Sequence, residues 1–280
     1  MLARAWKAVT GSPSGIVGLI LLVLMTTVAL AGPVLAPYDA RELAGPPFQA
    51  PSRDHLLGTN DIGQDIFSEV LTGARSSLFV GLVAAGAAIV IGTGVGVVAG
   101  LAGGRVDAVL MRLTDIVLII PFLPLVVVVA AFLGPGLMNI AITLALVIWA
   151  RPARVVRAQA LAIRSCAYFE AAVALGARFG HILARHLLPA VLPIALSQFI
   201  LAASSSILAE AGLAFLGLGD PIRKSWGGIL YYAQARGAFL SGSWPWWVLP
   251  PGLLIAVSVL AFALTGRALE EALMPRLRRR

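Results

Sequence analysis

The side chains able to do chemistry are few and scattered. Only three histidines are present, His55, His181 and His186. His55 with Asp61 and Asp65 has the composition of a cation site, but Gly58 and Gly63 between them favour turn-and-cap chemistry. The glycines permit tight turns, and an aspartate accepts from the unpaired N–H groups that open a helix. His181 and His186 are poorly placed for shared ligation, and His55 is distant in sequence. The single cysteine, Cys166, excludes an intrachain disulfide and a cysteine-rich metal site, and reads as a small buried or interfacial residue. The run Gly92-Thr93-Gly94-Val95-Gly96 resembles a phosphate loop in glycine content but lacks the Lys and Ser/Thr that must follow. The two lysines, Lys7 and Lys224, follow Trp6 and Arg223, so no such loop occurs elsewhere. An intramembrane enzyme needs a nucleophile–base or metal pair. The chain offers none and is read as a non-enzyme, with no catalytic, cofactor-binding or metal-binding residue.

Composition explains the scarcity. The 280 residues are 59% hydrophobic and only 12% charged, against about 25% charged in an average chain. Mean hydropathy is +0.93. A hydrocarbon core about 30 Å thick takes about 20 apolar residues per helix. Six runs qualify: 16–35, 76–101, 106–133, 137–161, 189–216 and 246–265. The expectation is an all-α membrane protein with six transmembrane helices. Residues 1–75 form an N-terminal helix and extracytoplasmic loop, and 76–280 a helical core. Ala29-Leu30-Ala31 mimics a signal-cleavage site, but the first apolar run exceeds the roughly 7–15 residues of a signal core. It reads as a spanning helix ended by Pro33 and Pro37.

Within these runs, small residues such as Gly92 and Gly96 allow close helix packing in lipid. Pro121 and Pro124 can kink the third helix. Arg151, Arg154 and Arg157 make a basic face at the end of the fourth. Trp244, Trp246 and Trp247 read as an interfacial aromatic belt. The fifth run carries Gln198, Ser204, Ser205 and Glu210 among apolar residues. Intramembrane polar groups usually face a bundle interior or an aqueous path, so these four are candidates for a translocation path. For Glu210 a structural interhelical hydrogen bond is an equal reading.

A net charge of +8 with no soluble domain points to lipid headgroups and membrane topology rather than nucleic acid. With the N-terminus inside, fifteen basic residues fall on the inner side. Six fall outside: Arg41, Arg53, Arg75, Arg223, Lys224 and Arg236. The positive-inside rule then makes both termini cytoplasmic, and with them the loop that follows the fourth helix.

That loop, Glu170 to Pro189, is polar and arginine-bearing. It is nevertheless rich in helix formers, with Gly176 as a natural break. It reads as two short helices joined at Gly176, with small alanines outward. Its pattern of Glu170-Ala171-Ala172, Gly176 and Leu188-Pro189 resembles the EAA loop of binding-protein-dependent ABC importer permeases. His186 stands where the broad family prefers isoleucine. Residues 55–70 resemble the HPLGTDxxGRDxxSRL signature of the oligopeptide, dipeptide and nickel branch, with Leu56, Asn60, Gln64, Glu69 and Val70 departing from it. The arginine lost at Gln64 means that a salt bridge there is not carried over. Residues 207–219 resemble that branch's ILAEAGLSFLGLG segment. Asp220-Pro221 to Ser225-Trp226-Gly227 resembles a motif ending in PSWG, with Lys224 in place of the proline. The basic tail from Gly266 is the most divergent match.

The resemblance implies a type I ABC importer permease fold of the inner (cytoplasmic) membrane, with a coupling loop at 161–189. It implies ATPase-coupling roles for Glu170, Ala171, Ala172, Ala174, Leu175, Gly176, Ala177, Arg178, Leu188 and Pro189. It implies that ATP is used by a partner subunit, with no cofactor on this chain. The implied partners are a second homologous permease, two ATP-binding cassette subunits and an extracytoplasmic solute-binding protein. Di- or oligopeptides are the substrate expected of the branch; nickel or a metal chelate is the alternative. An ion-coupled carrier or channel is the contrasting class. It usually places several ionisable groups at mid-membrane, where this sequence has little beyond Glu210.

Overall fold

The computed structural model describes residues 9–177 and 179–273. The basic residues Arg4 and Lys7, the coupling candidate Arg178 and the tail from residue 274 lie outside the described residues. No strand forms among the described residues; one antiparallel bridge joins Thr59 and Asp65.

The helices placed among the described residues are α1 Pro13–Leu35, α2 Ile66–Ala102, α3 Gly104–Ile119, α4 Phe122–Leu133, α5 Leu137–Ile148, α6 Ala150–Arg164, α7 Ala167–Ala174, α8 Phe179–Ile182, α9 Leu188–Leu213, α10 Trp226–Ala235, α11 Trp244–Trp247 and α12 Leu249–Leu273, with π-helical turns at Leu183–Leu187 and Ala214–Leu218. Four uninterrupted helices are long and apolar enough to cross a membrane, and six spans result if each of two bent pairs counts as one.

The third run is broken rather than kinked. α3 and α4 meet at 96°. Pro121 has no N–H to donate, and the residue before a proline is driven from helical to extended backbone. Ile120 obeys, at φ −70° and ψ 130°. α5 and α6 bend by 43°, because Pro152 leaves the Ile148 carbonyl, four residues earlier, without a donor. The fifth run does not begin at Pro189. The helix runs from Gly180 through a π-helical turn at Leu183–Leu187 into α9 without a break, and that turn relieves the clash that Pro189 would cause in a regular helix.

α2 starts ten residues earlier than its apolar run suggests, at Ile66. Asp65 caps it, accepting from the Ser68 N–H at 2.8 Å and the Ser68 hydroxyl at 2.7 Å. His55 Nδ1 lies 3.0 Å from the other Asp65 oxygen. Asp61 caps none of the described helices; it lies 3.5 Å from Arg236. Gly58 and Gly63 take φ +69° and +88°, so the loop before α2 turns where glycine allows.

α2 is the central helix, packed by α1, α3, α5, α6, α9 and α10. Its contact with α6 is nearly backbone on backbone. A Cβ added at Gly92 would lie 2.7 Å from Trp149 O, one at Gly96 2.5 Å from Ala153 O, and one at Gly100 2.6 Å from the Ala160 Cβ. In lipid, apolar side chains gain nothing by leaving solvent, so dispersion at such short range is what holds two helices together. The tryptophan belt is only partly exposed. Trp244 is exposed, but Trp247 is fully buried, with Phe48 of the loop between α1 and α2 edge-on to it at 6.1 Å.

Gly96→Leu should force α2 from α6 and lower the thermal midpoint of the detergent-solubilised protein, at a cost of about 1–3 kcal/mol. Gly94→Ala, with nothing within 4 Å of the added atom, should not lower it. Equal midpoints for the two variants would contradict the contact.

Candidate coupling element and polar loop cluster

α6 leads into a compact elbow. α7 (Ala167–Ala174) and α8 (Phe179–Ile182) are joined through Gly176, whose φ of +77° is reached at low cost only by glycine. Nothing lies within 4 Å of a Cβ added there, so backbone conformation and not space demands the glycine. Glu170, Ala171, Ala174, Leu175 and Gly176 are exposed, and Ala172 and Ala177 half-buried. Leu175, at the tip, is 88% exposed. Leu188 and Pro189 are exposed on the far side of the π turn.

The elbow is anchored from both arms. Phe169 of α7, Ile182 of α8 and Leu187 of the π turn are buried with Val156, Ala160 and Ile163 of α6. Val97 of α2 and Val191 of α9 close the same cluster. Sequence reading passed over Phe169, although an aromatic residue in an alanine-rich surface helix is itself a signal of an anchor. Because α8 runs without a break into α9, the second arm is an extension of a spanning helix.

Two ion pairs brace α6 against α3. Arg157 meets Asp107 in a bidentate pair, both contacts at 2.5 Å, and Arg154 pairs with Asp115. The basic face expected at 151–157 is thus partly neutralised from the neighbouring helix.

The candidate path residues lie in differing surroundings. Ser204 is buried and donates to Val259 O of α12 at 3.0 Å. Ser205 is exposed and donates to Leu201 O at 3.2 Å in its own helix. Gln198 is half-buried. Glu210 is fully buried, and neither carboxyl oxygen has a hydrogen bond. The Ser77 and Ser225 hydroxyls lie beside it. They already accept from Trp226 N–H and Gly228 N–H, at 3.1 and 3.2 Å. Their protons remain free for the carboxyl, so small rotations would close a link between α9, α2 and the start of α10.

The end of the bundle opposite the elbow holds a buried charge cluster. Lys224 Nζ lies 2.5 Å from Glu69 Oε1 and 2.7 Å from Gln64 Oε1. Asn60 Nδ2 donates to the same two oxygens, at 3.1 Å to Glu69 and 3.0 Å to Gln64, and Gln64 Nε2 donates to Arg41 O at 3.1 Å. Glu69 is only 2% exposed. Asn60, Gln64, Glu69 and Lys224 are four positions at which the sequence departs from the branch's signatures, and they contact one another. Where the signature has arginine at 64, Gln64 is neutral and the cation arrives from Lys224.

A bundle of apolar helices, with a structured elbow at one end and a charge-braced loop cluster at the other, has the form of a multi-span membrane protein. The chain belongs to the family of binding-protein-dependent transport system inner membrane components, whose profile matches residues 92–279. The N-terminal TM domain of oligopeptide transport permease C matches residues 1–51. The dipeptide transport system permease protein DppC of Bacillus subtilis is 35% identical over 277 residues, covering 98% of this chain and 86% of that protein. The oligopeptide transport system permease protein OppC of the same organism is 35% identical over 268 residues, covering 94% and 86%. DppC of Alkalihalophilus pseudofirmus is 35% identical over 277 residues, covering 98% and 90%. The chain is therefore an ABC importer permease subunit, a multi-pass inner-membrane protein of a type that works with a partner permease, an ATPase and a solute-binding protein.

Lys224→Met leaves Glu69 buried without a cation and should cost about 3–5 kcal/mol, whereas adding Glu69→Met should recover most of that loss. A double-mutant cycle of thermal unfolding measures the coupling; additive effects would refute the cluster.

Proposed function

We propose that this subunit imports di- or oligopeptides, paired with one related permease, two ATP-hydrolysing subunits and an extracytoplasmic binding protein. The relatives named for dipeptide and oligopeptide transport support the substrate class. The positive-inside asymmetry supports cytoplasmic termini and a cytoplasmic elbow. On this reading residues 170–178 seat in a cleft of the ATPase, with Glu170 and the small Ala171, Ala172 and Ala174 as the docking face. Leu188 and Pro189 mark where the stroke enters α9.

The single observation that carries the reading is the continuity of α8 through the π turn into α9, with Phe169 and Ile182 fastening the elbow to α6. A lever must transmit displacement without absorbing it. Closure of the ATPases on ATP would push the elbow, tilt α6 and α9 together and open the path outward to accept solute. Gln198 and Ser205, the accessible members of the polar set, are the candidates to meet it. Ser204 instead holds α9 to α12, and Glu210 lies buried beside Ser77 and Ser225.

Gly176→Val imposes φ +77° on a β-branched residue, at a cost of about 1–3 kcal/mol. The variant should still insert and assemble, yet lose ATP hydrolysis coupled to peptide import in proteoliposomes. Normal import by that variant would remove the lever.

A further inference from the structure

Basic residues are scarce on the outer side of this chain, yet four of the six assigned there line one cleft. Arg41, Arg75, Arg223 and Lys224 border a cavity of about 610 Å³, between the end of α1, the start of α2, the first residue of α5 and the loop before α10. One acid, Asp39, shares the lining.

The nearby carboxylates are already engaged. Asp39 accepts from the Arg41 N–H at 2.8 Å. Asp220 accepts from the Ile222, Arg223 and Leu137 N–H groups, at 2.8, 3.0 and 3.2 Å. Glu69 holds Lys224. The Arg41 guanidinium donates to Ile222 O at 2.6 Å. Two cations remain. Arg75 and Arg223 are exposed, and among the described residues no carboxylate lies within ion-pair distance of either.

Like charges gathered around a concave wall repel one another and focus a positive potential into it. Guanidinium forks match the planar geometry of a carboxylate or phosphate. We propose that this cleft is an oxyanion-binding vestibule, in which Arg75 and Arg223 take the carboxylate of an incoming solute. That the solute is a peptide, with its C-terminal carboxylate the bound group, rests on the reading above. A phospholipid phosphate offers the same chemistry, so the test separates the two sources.

The experiment uses the assembled importer in neutral phosphatidylcholine vesicles. Phenylglyoxal modification of Arg75 and Arg223, followed by mass spectrometry, should be slowed by N-acetylalanine and not by N-acetylalaninamide. In the same vesicles, the ratio of import of a free-acid dipeptide to its C-terminal amide is compared between wild type and R75Q/R223Q. The binding protein is common to both, so a change in ratio reports the permease. A charge-assisted hydrogen bond lost on the free acid alone should lower the ratio by about tenfold. Protection by the carboxylate together with a fallen ratio supports the vestibule. An absence of protection overturns it, whatever the importer carries. Equal labelling with an unchanged ratio, but slower labelling on adding phosphatidylglycerol, assigns the arginines to lipid and also overturns it. Protection without import of either peptide leaves the vestibule standing and refutes the peptide reading.

Discussion

The close approach of α2 to α6 is the contact on which the rest of the structure depends. Gly92, Gly96 and Gly100 recur every four residues, so one face of α2 carries no side chains and the α6 backbone lies against it. Lipid supplies no hydrophobic force to hold helices together, and short-range dispersion replaces it. α6 then runs into the elbow, and Phe169, Ile182 and Leu187 fasten that elbow back onto it. The bidentate Arg157–Asp107 pair fixes α3 to the same unit. On the proposed reading, the ATPase would therefore push on a block of α2, α3, α6 and α9 and not on a loop.

The end opposite the elbow is tied by other means. The Lys224–Glu69 pair joins the loop before α10 to the first turn of α2, and Asp65 holds that turn in place. Breaking a buried pair costs more than making one gains, so this arrangement sets register more than stability. Its four members depart from the branch's signatures together.

Features governed by local rules were legible in the sequence. The glycine stripe follows from helical periodicity, the Gly176 break from backbone freedom, and the Asp65 cap from unpaired N–H groups at a helix start. What was not legible is non-local. Lys224 and Glu69 are 155 residues apart, and Arg157 and Asp107 are 50 apart; spacing along the chain announces neither pair. Pro121 signalled a kink, but a 96° break depends on how α4 then packs on α5. Trp247 matched the interfacial type by residue identity and is covered by the loop between α1 and α2 instead. For the elbow, sequence located the turn and the outward alanines, while the anchor Phe169 emerged only from packing.

The central claim is that elbow and α2 move as one body. Leu175 at the tip is 88% exposed and Val90 on α2 is 74% exposed, so both accept spin labels as cysteines in a Cys166→Ser background. Electron–electron double resonance in the assembled importer measures the distance between them, with and without trapped ATP. A rigid block predicts the same narrow distance distribution in both states, while Leu175 labels on this chain and its partner permease change separation. A Leu175–Val90 distance that shifts or broadens on ATP binding would contradict it.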